Sequence, residues 1–269
     1  MQIVKVEGRE VSVYNLSGEP TSKITLPPIF SVDVRPDLIR RAVLALNTSR
    51  LQPKGTDPMA GERTTAESWG VGYGVARVPR VKDSNRAALV PQAVGGRRAH
   101  PPRVEKKIRE LINRKERRLA TISAIAATAS QFYVERRGHI ATPVKELPIV
   151  ISDEFEKISK SKDVREVFKK IGVWDDVMRA YKGRRVRAGK GKMRGRKYKV
   201  PKSVLIVVSS DKSEVARAAR AFPGVDVVSA DRLTVTHLAP GGVPGRLTIY
   251  TVSSLEKLDK RFRGDLILE

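Results

Sequence analysis

Apolar and polar residues alternate at the start of the chain, and a helical period follows further on. Residues 2–7 and 10–16 alternate around Gly8, which predicts a short hairpin of two strands. Pro36 stands where a helix commonly begins, and apolar residues recur at helical spacing from Leu38 to Leu46. We therefore expect a first helix from Pro36 to about residue 47.

Both periods disappear between about residues 49 and 102, where Gly, Pro, Ser, Thr and Arg dominate. A structureless segment of this length inside a domain is uncommon, and it is usually functional or disordered. A helical period returns at Val104 and continues to about Arg136, which predicts one long helix with a heavily basic first half.

The second half of the chain alternates short apolar runs with helical patterns. Strands are predicted at 147–151, 204–208, 225–228 and 247–252, and helices at 162–171, 175–180, 212–221 and 254–260. The run from Val204 to Val208 contains no polar residue, as expected for a strand that is covered on both faces. Strands that alternate with helices favour a parallel sheet with right-handed crossovers.

These patterns together predict an α/β fold, in which helices flank a central, mostly parallel sheet and a long non-globular arm is inserted. The globular domain comprises residues 1–47 and 103–269, and the arm comprises residues 48–102. A second irregular stretch, residues 181–202, forms a basic loop within the globular part.

The distribution of charge along the chain indicates a function as well as a fold. The sequence holds 53 Lys and Arg residues against 29 Asp and Glu, giving a net charge of +24 and a pI near 10.6. Such a balance indicates a nucleic-acid partner. A membrane surface is the other polyanion, but binding it requires a basic amphipathic helix with bulky apolar residues, and we find none. With no apolar run near membrane length and no signal-peptide pattern, we expect a soluble, intracellular protein.

The cations concentrate in the arm and in the stretch 181–202, which holds eleven Lys and Arg residues and no acid. The arm has too little apolar area to offset ordering costs of about 1–2 kcal/mol per residue, so it is either a solvated linker or a segment that folds against RNA. We favour RNA because the arm leaves and re-enters one domain. The residues expected to contact RNA are Arg50, Lys54, Arg77, Arg80, Lys82, Arg86, Arg97, Arg98, Arg103, Lys106, Arg184, Arg185, Arg187, Lys190, Lys192, Arg194, Arg196 and Lys197.

Within the arm, Trp69-Gly70-Val71-Gly72-Tyr73-Gly74 superficially resembles a dinucleotide-binding loop. That motif requires a strand before it and a helix after it, and neither pattern is present here. Trp69 and Tyr73 therefore stack on bases, or they fill a gap against a neighbouring protein.

No arrangement of residues predicts catalysis. His100, His139 and His237 are far apart and lack metal-ligand spacing, and no cysteine is present. Asp175 and Asp176 are best explained as the start of a short helix. We expect no enzyme activity, no metal, no cofactor and no small-molecule substrate.

The arm also carries a family resemblance. Residues 59–80 (MAGERTTAESWGVGYGVARVPR) and 95–102 (GGRRAHPP) resemble the arm of the fourth protein of the large ribosomal subunit, in its archaeal and eukaryotic version. The segment from Lys202 to Val207 and the closing strand and helix are similar to the family's C-terminal half. The chain length favours the archaeal branch.

The resemblance implies a structural protein of the cytoplasmic ribosome, whose α/β domain lies on the outside of the large subunit. It implies that the arm penetrates the ribosomal RNA and that its tip contacts the nascent polypeptide in the exit tunnel, near other ribosomal proteins. Carried over by motif, the tip residues are Arg63, Thr64, Thr65, Trp69, Gly70, Gly72, Tyr73 and Gly74. The residues alone leave open another structured-RNA-binding protein, an RNA-modifying enzyme, a DNA-compacting protein or an adaptor between proteins.

Overall fold

The secondary structure is known for residues 3–4, 9–265 and 267–268, which a computed structural model describes. The strands are β1 (Ile3–Val4), β2 (Glu10–Tyr14), β3 (Pro20–Thr25), β4 (Ala66–Glu67), β5 (Arg80–Val81), β6 (Ile149–Ile151), β7 (Arg185–Val186), β8 (Tyr198–Lys199), β9 (Leu205–Val208), β10 (Asp226–Ser229), β11 (Thr248–Thr251) and β12 (Ile267–Leu268). The α-helices are α1 (Pro36–Thr48), α2 (Arg114–Ala126), α3 (Gln131–Arg136), α4 (Ser161–Ile171), α5 (Trp174–Lys182), α6 (Val215–Ala219), α7 (Val235–Leu238) and α8 (Val252–Phe262).

A six-stranded sheet in the order β10-β9-β11-β6-β2-β3 forms the centre of the fold. Every neighbouring pair in it is parallel except β2 and β3, which are antiparallel. The mostly parallel α/β fold is thus confirmed, and all four strands that were predicted in the second half of the chain are present.

Apolar side chains cover both faces of this sheet. Leu205 and Val207 of β9 belong to one buried cluster, with side chains of α1, α2, α7 and α8. Ile206 and Val208 belong to a second cluster, with side chains of α4, α5 and α6. Burial on both faces explains why this strand is apolar at every position.

The predicted hairpin of residues 2–7 and 10–16 is wrong. Strand β2 pairs with β3, and Ile3–Val4 pairs in parallel with Ile267–Leu268; residues 5–8 lie outside the described part of the chain. The turn that joins β2 to β3 is made by Asn15, whose side-chain oxygen accepts the backbone N–H groups of Ser17 and Glu19, each at 2.9 Å. Gly18 closes it with φ of 80°. The exposed β3 offers no apolar alternation that would reveal it.

The predicted helix from Val104 to Arg136 is wrong over its first ten residues and is interrupted later. Helix α2 begins only at Arg114, and Val104 and Leu111 are 57% and 77% exposed. Helix nucleation is costly, and a stripe in which Val104 and Leu111 stay exposed buries too little to offset that cost, particularly in a stretch rich in like charges. The helix breaks again near Ser130, which has extended backbone.

The chain divides into two units. One comprises residues 1–46 and 111–269 and contains the central sheet, and the other comprises residues 47–110. We call the second the 47–110 unit.

Candidate nucleic-acid interface

Residues 184–199 form a basic hairpin. Strands β7 and β8 pair in antiparallel register, and the N–H of Arg187 donates to the carbonyl of Lys197 at 2.8 Å. A 3-10 turn at Lys190–Arg194 joins them, flanked by Gly189 and Gly195, whose φ values are 77° and 76°. The prediction that this whole stretch is irregular is therefore wrong, because a hydrogen-bonded ladder holds its two sides together.

The hairpin concentrates positive charge without any compensating acid. Arg185 lies directly opposite Lys199 in the ladder, and like charges in that position destabilise a strand pair. The guanidinium of Arg184 lies 4.0 Å from the ring centroid of Tyr198. Among the predicted contact residues of this stretch, Arg187 is half-buried and the others are exposed: Arg184, Arg185, Lys190, Lys192, Arg194, Arg196 and Lys197. An anionic partner would relieve the repulsion that these side chains create.

The 47–110 unit has almost no interior. The structure describes all of it, and Ala88 is its only buried residue. It holds thirteen Lys and Arg residues against six Asp and Glu. Its only ladder is the antiparallel pair of β4 and β5, two residues each. Hydrophobic burial, the dominant favourable contribution to folding, is thus nearly absent from this unit.

Local polar contacts organise part of the unit. Arg80 donates to the backbone and side-chain oxygens of Asn85 at 2.7 and 3.1 Å, and Arg86 donates to the carbonyl of Val94 at 3.1 Å. Arg97 pairs with Glu62 at 3.2 Å. The remaining predicted cations are exposed and form no ion pair with any described residue: Arg50, Lys54, Arg77, Lys82, Arg98, Arg103 and Lys106.

The predicted tip is an exposed glycine-rich loop. Gly70, Gly72 and Gly74 have φ values of 79°, 96° and 65°, and a side chain at any of them would meet open space. Glycine is thus required there by backbone conformation and not by crowding. The rings of Trp69 and Tyr73 lie 5.9 Å apart and are 41% and 65% exposed.

One cation from a flank of the arm contacts the predicted tip. The guanidinium of Arg80, which the sequence assigned to a flank of the arm, lies 5.7 Å from the ring centroid of Trp69. Arg63 pairs with Asp57 at 2.7 Å, whereas Thr64 and Thr65 are exposed. The structure therefore joins a flank residue to the tip through one aromatic ring.

A fully buried arginine in the globular unit was not predicted from the sequence. Arg246 donates to the carbonyls of Ser203 and His237 at 2.8 and 2.9 Å and pairs with Asp226 at 2.7 Å. Burial lowers the pKa of its guanidinium, and the charge of Asp226 opposes that shift. The only signal in the sequence is one arginine two residues before the buried strand β11, and that position did not distinguish it from a surface cation.

A second buried polar group is centred on Asp176, in the first turn of α5 as predicted. Its carboxylate accepts from Arg179 and Ser203 at 2.8 Å each, from the N–H of Ile140 at 3.1 Å, and lies 3.0 Å from Nδ1 of His139. Burial acts to raise the pKa of Asp176, but its bonds to His139 and Arg179 outweigh burial and hold that pKa well below its usual range. The group is fully engaged within the protein, so it has a structural role.

The described residues contain neither a metal-binding cluster nor a membrane-spanning helix. They contain no cluster of three or more His, Asp or Glu side chains with metal-binding geometry. None of their helices combines the length and the apolar character that crossing a bilayer requires.

The fold and the two basic segments define the class of this protein: a basic α/β protein with buried polar groups that have a structural role. Comparison with known proteins places the chain among ribosomal proteins. The sequence model of the Ribosomal protein L4/L1 family matches residues 24–261. The chain therefore belongs to the Ribosomal protein L4/L1 family.

Relatives support this assignment along nearly the whole chain, and each is named large ribosomal subunit protein uL4. The chain is 56% identical to that of Aeropyrum pernix over 267 residues, which cover 99% of this chain and 98% of the relative. It is 57% identical to that of Methanocaldococcus jannaschii over 250 residues (93% and 98%) and 54% identical to that of Methanosphaera stadtmanae over 254 residues (94% and 98%). The expectation of an archaeal-type family member is confirmed.

Proposed function

We propose that this protein is a structural component of the large ribosomal subunit, where it binds ribosomal RNA through the 47–110 unit and the basic hairpin. The observation that carries the proposal is the 47–110 unit itself, in which thirteen cations accompany a single buried residue. A segment of this kind gains its order from a partner, and the partner that matches its charge is a polyanion.

The 47–110 unit acts as the arm. Its exposed cations neutralise phosphates as the RNA folds around it, and Arg side chains pair with phosphate oxygens in bidentate geometry. Contacts of this kind fix position and orientation and carry little sequence information. The arm therefore stabilises a compact RNA fold and does not select a sequence.

The basic hairpin supplies a second RNA contact, from the globular unit. Its ladder orders the backbone before binding, so less backbone entropy is lost than in a disordered loop. Phosphate placed near Arg185 and Lys199 would also remove their mutual repulsion.

The tip around Trp69 and Tyr73 faces the exit tunnel and contacts the nascent polypeptide beside a neighbouring ribosomal protein. Support comes from its exposed rings and from the family to which the chain belongs. This location in the ribosome implies no enzyme activity and requires no cofactor.

The test is the salt dependence of binding between the full-length chain and a fragment of large-subunit RNA. Each phosphate contact contributes about −0.7 to −0.9 to the slope of log affinity against log salt. Replacing Arg184, Arg185 and Lys197 by Gln should reduce the slope by about two to three. The matched control replaces Lys162, Lys169 and Lys170, three exposed lysines of α4, by Gln and should leave the slope nearly unchanged.

Two results would contradict the proposal. One is binding that hardly changes between low and high salt. The other is equal affinity for duplex DNA of the same length, which would favour a DNA-compacting protein.

A further inference from the structure

A cavity lies beside helix α3, and hydrogen bonds and close backbone packing hold one of its walls in place. The wall is the loop 240–245, and the guanidinium of Arg137 donates to the carbonyls of Val243 and Pro240, the latter at 2.9 Å. Gly245 has φ of 90°, and a Cβ there would lie 2.3 Å from the carbonyl oxygen of Tyr133. The loop and the helix are therefore in close backbone contact and form a preorganised site.

The cavity has a volume of about 250 Å³. Its lining combines apolar, aromatic and cationic side chains with no acid: Pro36, Arg40, Tyr133, Arg136, Val243 and Pro244. Arg40 and Arg136 are exposed, and neither forms an ion pair with a residue that the structure describes. The site therefore offers two unpaired cations beside an apolar floor.

An aromatic surface continues from the cavity onto α3. Phe132 is 61% exposed, its ring centroid lies 5.3 Å from that of Tyr133, and the guanidinium of Arg136 lies 5.8 Å from it. A phenylalanine this exposed contributes little to the protein's own core. Its position next to an unpaired arginine is the combination that single-stranded RNA-binding sites use, in which bases stack on rings and cations hold the backbone.

Size narrows the choice of occupant. The volume lies below the roughly 300 Å³ at which pockets for drug-sized ligands begin, so the cavity holds one ring and not a larger cofactor. The two arginines favour an occupant that carries an anion next to that ring. A nucleotide meets both requirements within one covalent unit.

We propose that this cavity binds one unpaired nucleotide of RNA, with its base against Tyr133, Val243 and Pro244 and its phosphate between Arg40 and Arg136. Phe132 provides a stacking surface for an adjacent base. The site rests on the proposed function, a place in the large subunit beside ribosomal RNA, but it shares no residue with the basic hairpin or the 47–110 unit, so its failure can be told apart from theirs. It differs from them in kind, because it recognises an extruded base and they recognise phosphate.

The experiment uses large subunits that contain the full chain. They are irradiated with ultraviolet light, the RNA is digested, and nucleotide adducts on this protein are mapped by mass spectrometry. We expect an adduct on residues 131–136 or 240–245. In subunits carrying R40Q and R136Q its yield should fall about fivefold or more, the effect of losing one stacked or anchored nucleotide. Adducts on the basic hairpin should stay constant and serve as the internal reference.

The matched control is Arg165→Gln. Arg165 is also exposed and lies 5.0 Å from the ring centroid of Trp174, but it does not line this cavity. Its replacement should leave the adduct unchanged. Hairpin adducts without any adduct at the cavity would overturn the inference, as would a cross-link from Tyr133 to a neighbouring protein instead of RNA. Cavity adducts without hairpin adducts would instead count against the function proposed for the hairpin.

A binding measurement in solution tests the same site without depending on the cross-linking yield. A short fluorescent oligouridylate is titrated into the full-length chain at high salt, which weakens phosphate contacts more than stacking. The variants Phe132→Ala and R40Q with R136Q should each weaken binding about fivefold relative to the unmodified chain and to Arg165→Gln. Equal affinity in all four proteins would refute the nucleotide site.

Discussion

Arg185 and Lys199 face each other across the ladder of the basic hairpin, so two positive charges occupy a position where strands normally place a compatible pair. We predict that Lys199→Glu stabilises the free hairpin and weakens RNA binding. The new cross-strand ion pair contributes about 0.2–1 kcal/mol, while one phosphate contact is lost and a repulsive one is gained. Hydrogen exchange of hairpin amides and affinity for an RNA fragment at fixed salt measure the two effects.

Lys199→Gln is the control for this change, since it removes the repulsion without adding an attraction. It should lie between the unmodified chain and Lys199→Glu in both measurements. A Lys199→Glu hairpin that exchanges more slowly and binds RNA with unchanged affinity would show that this face of the hairpin does not contact phosphate.

The lack of an interior in the 47–110 unit leads to a deletion experiment. Replacing residues 55–98 by a short Gly-Ser linker removes Ala88, the only buried residue of that unit, and leaves both apolar clusters around the sheet intact. The shortened protein should unfold in one cooperative transition, with a midpoint within a few degrees of the full chain. Circular dichroism during thermal unfolding measures this. Loss of cooperativity would mean that the deleted residues support the core.

The division of the arm into tip and flanks predicts separate phenotypes. Trp69→Ala removes an exposed ring of the glycine-rich loop and should alter stalling by nascent peptides or the response to tunnel-binding drugs, with normal yield of subunits. Arg97→Ala with Arg98→Ala should lower the yield of assembled subunits and leave stalling unchanged. Translation assays and sucrose-gradient profiles distinguish the two, and equal effects of both variants in both assays would contradict the division.

The parts of the fold that the sequence predicted are those in which one residue pattern has one physical explanation. Strand β9 is covered on both faces, so its apolar run is continuous. Helix α4 keeps a clear stripe because Val164, Val167, Phe168 and Ile171 all enter one cluster. In each case, the buried positions must be apolar, so the burial pattern can be read from the sequence.

Other features depend on partners that a linear pattern does not contain. Strand β3 is exposed, so its pairing with β2 is fixed by the turn at Asn15 and not by alternation. The stripe from Val104 to Leu111 has helical spacing, but Val104 and Leu111 remain exposed to solvent. Charge density located the basic segments, whereas the register that opposes Arg185 to Lys199 and the ring contact of Arg80 with Trp69 arise only in three dimensions.

Arg246 provides a test of buried polar structure. Arg246→Met removes a guanidinium that donates to the carbonyls of Ser203 and His237, and each buried acceptor left unsatisfied costs about 1–3 kcal/mol of unfolding free energy, while Asp226 keeps its ion pair with Lys202 at 2.8 Å. Arg232→Met is the control, because Arg232 pairs with Asp211 at 2.7 Å at the surface and should cost about 1 kcal/mol or less. Urea unfolding measures both. Similar losses in the two variants would show that the burial of Arg246 adds nothing.

The His139–Asp176 pair predicts how stability depends on pH. Burial lowers the pKa of His139 below its usual value of about 6.5, with the charges of Arg179 and Arg137 acting in the same direction and Asp176 opposing them. The unfolded chain therefore binds this proton more readily than the folded one. Stability should be complete above about pH 6.5 and should fall as the pH drops through that value towards the lower folded pKa, by at most about 1.4 kcal/mol per pH unit.

His139→Gln should flatten this slope between neutral pH and about pH 5, whatever its effect on stability at neutral pH, because it removes the group that titrates there. His100→Gln, a change at an exposed histidine, should keep the slope of the unmodified chain. Asp176 does not obscure the comparison. Its folded pKa is depressed, so its contribution is lost only below the ordinary carboxylate range of about 3.9. Urea titrations across this interval measure the slope, and an unchanged slope in His139→Gln would assign the pH dependence to another group.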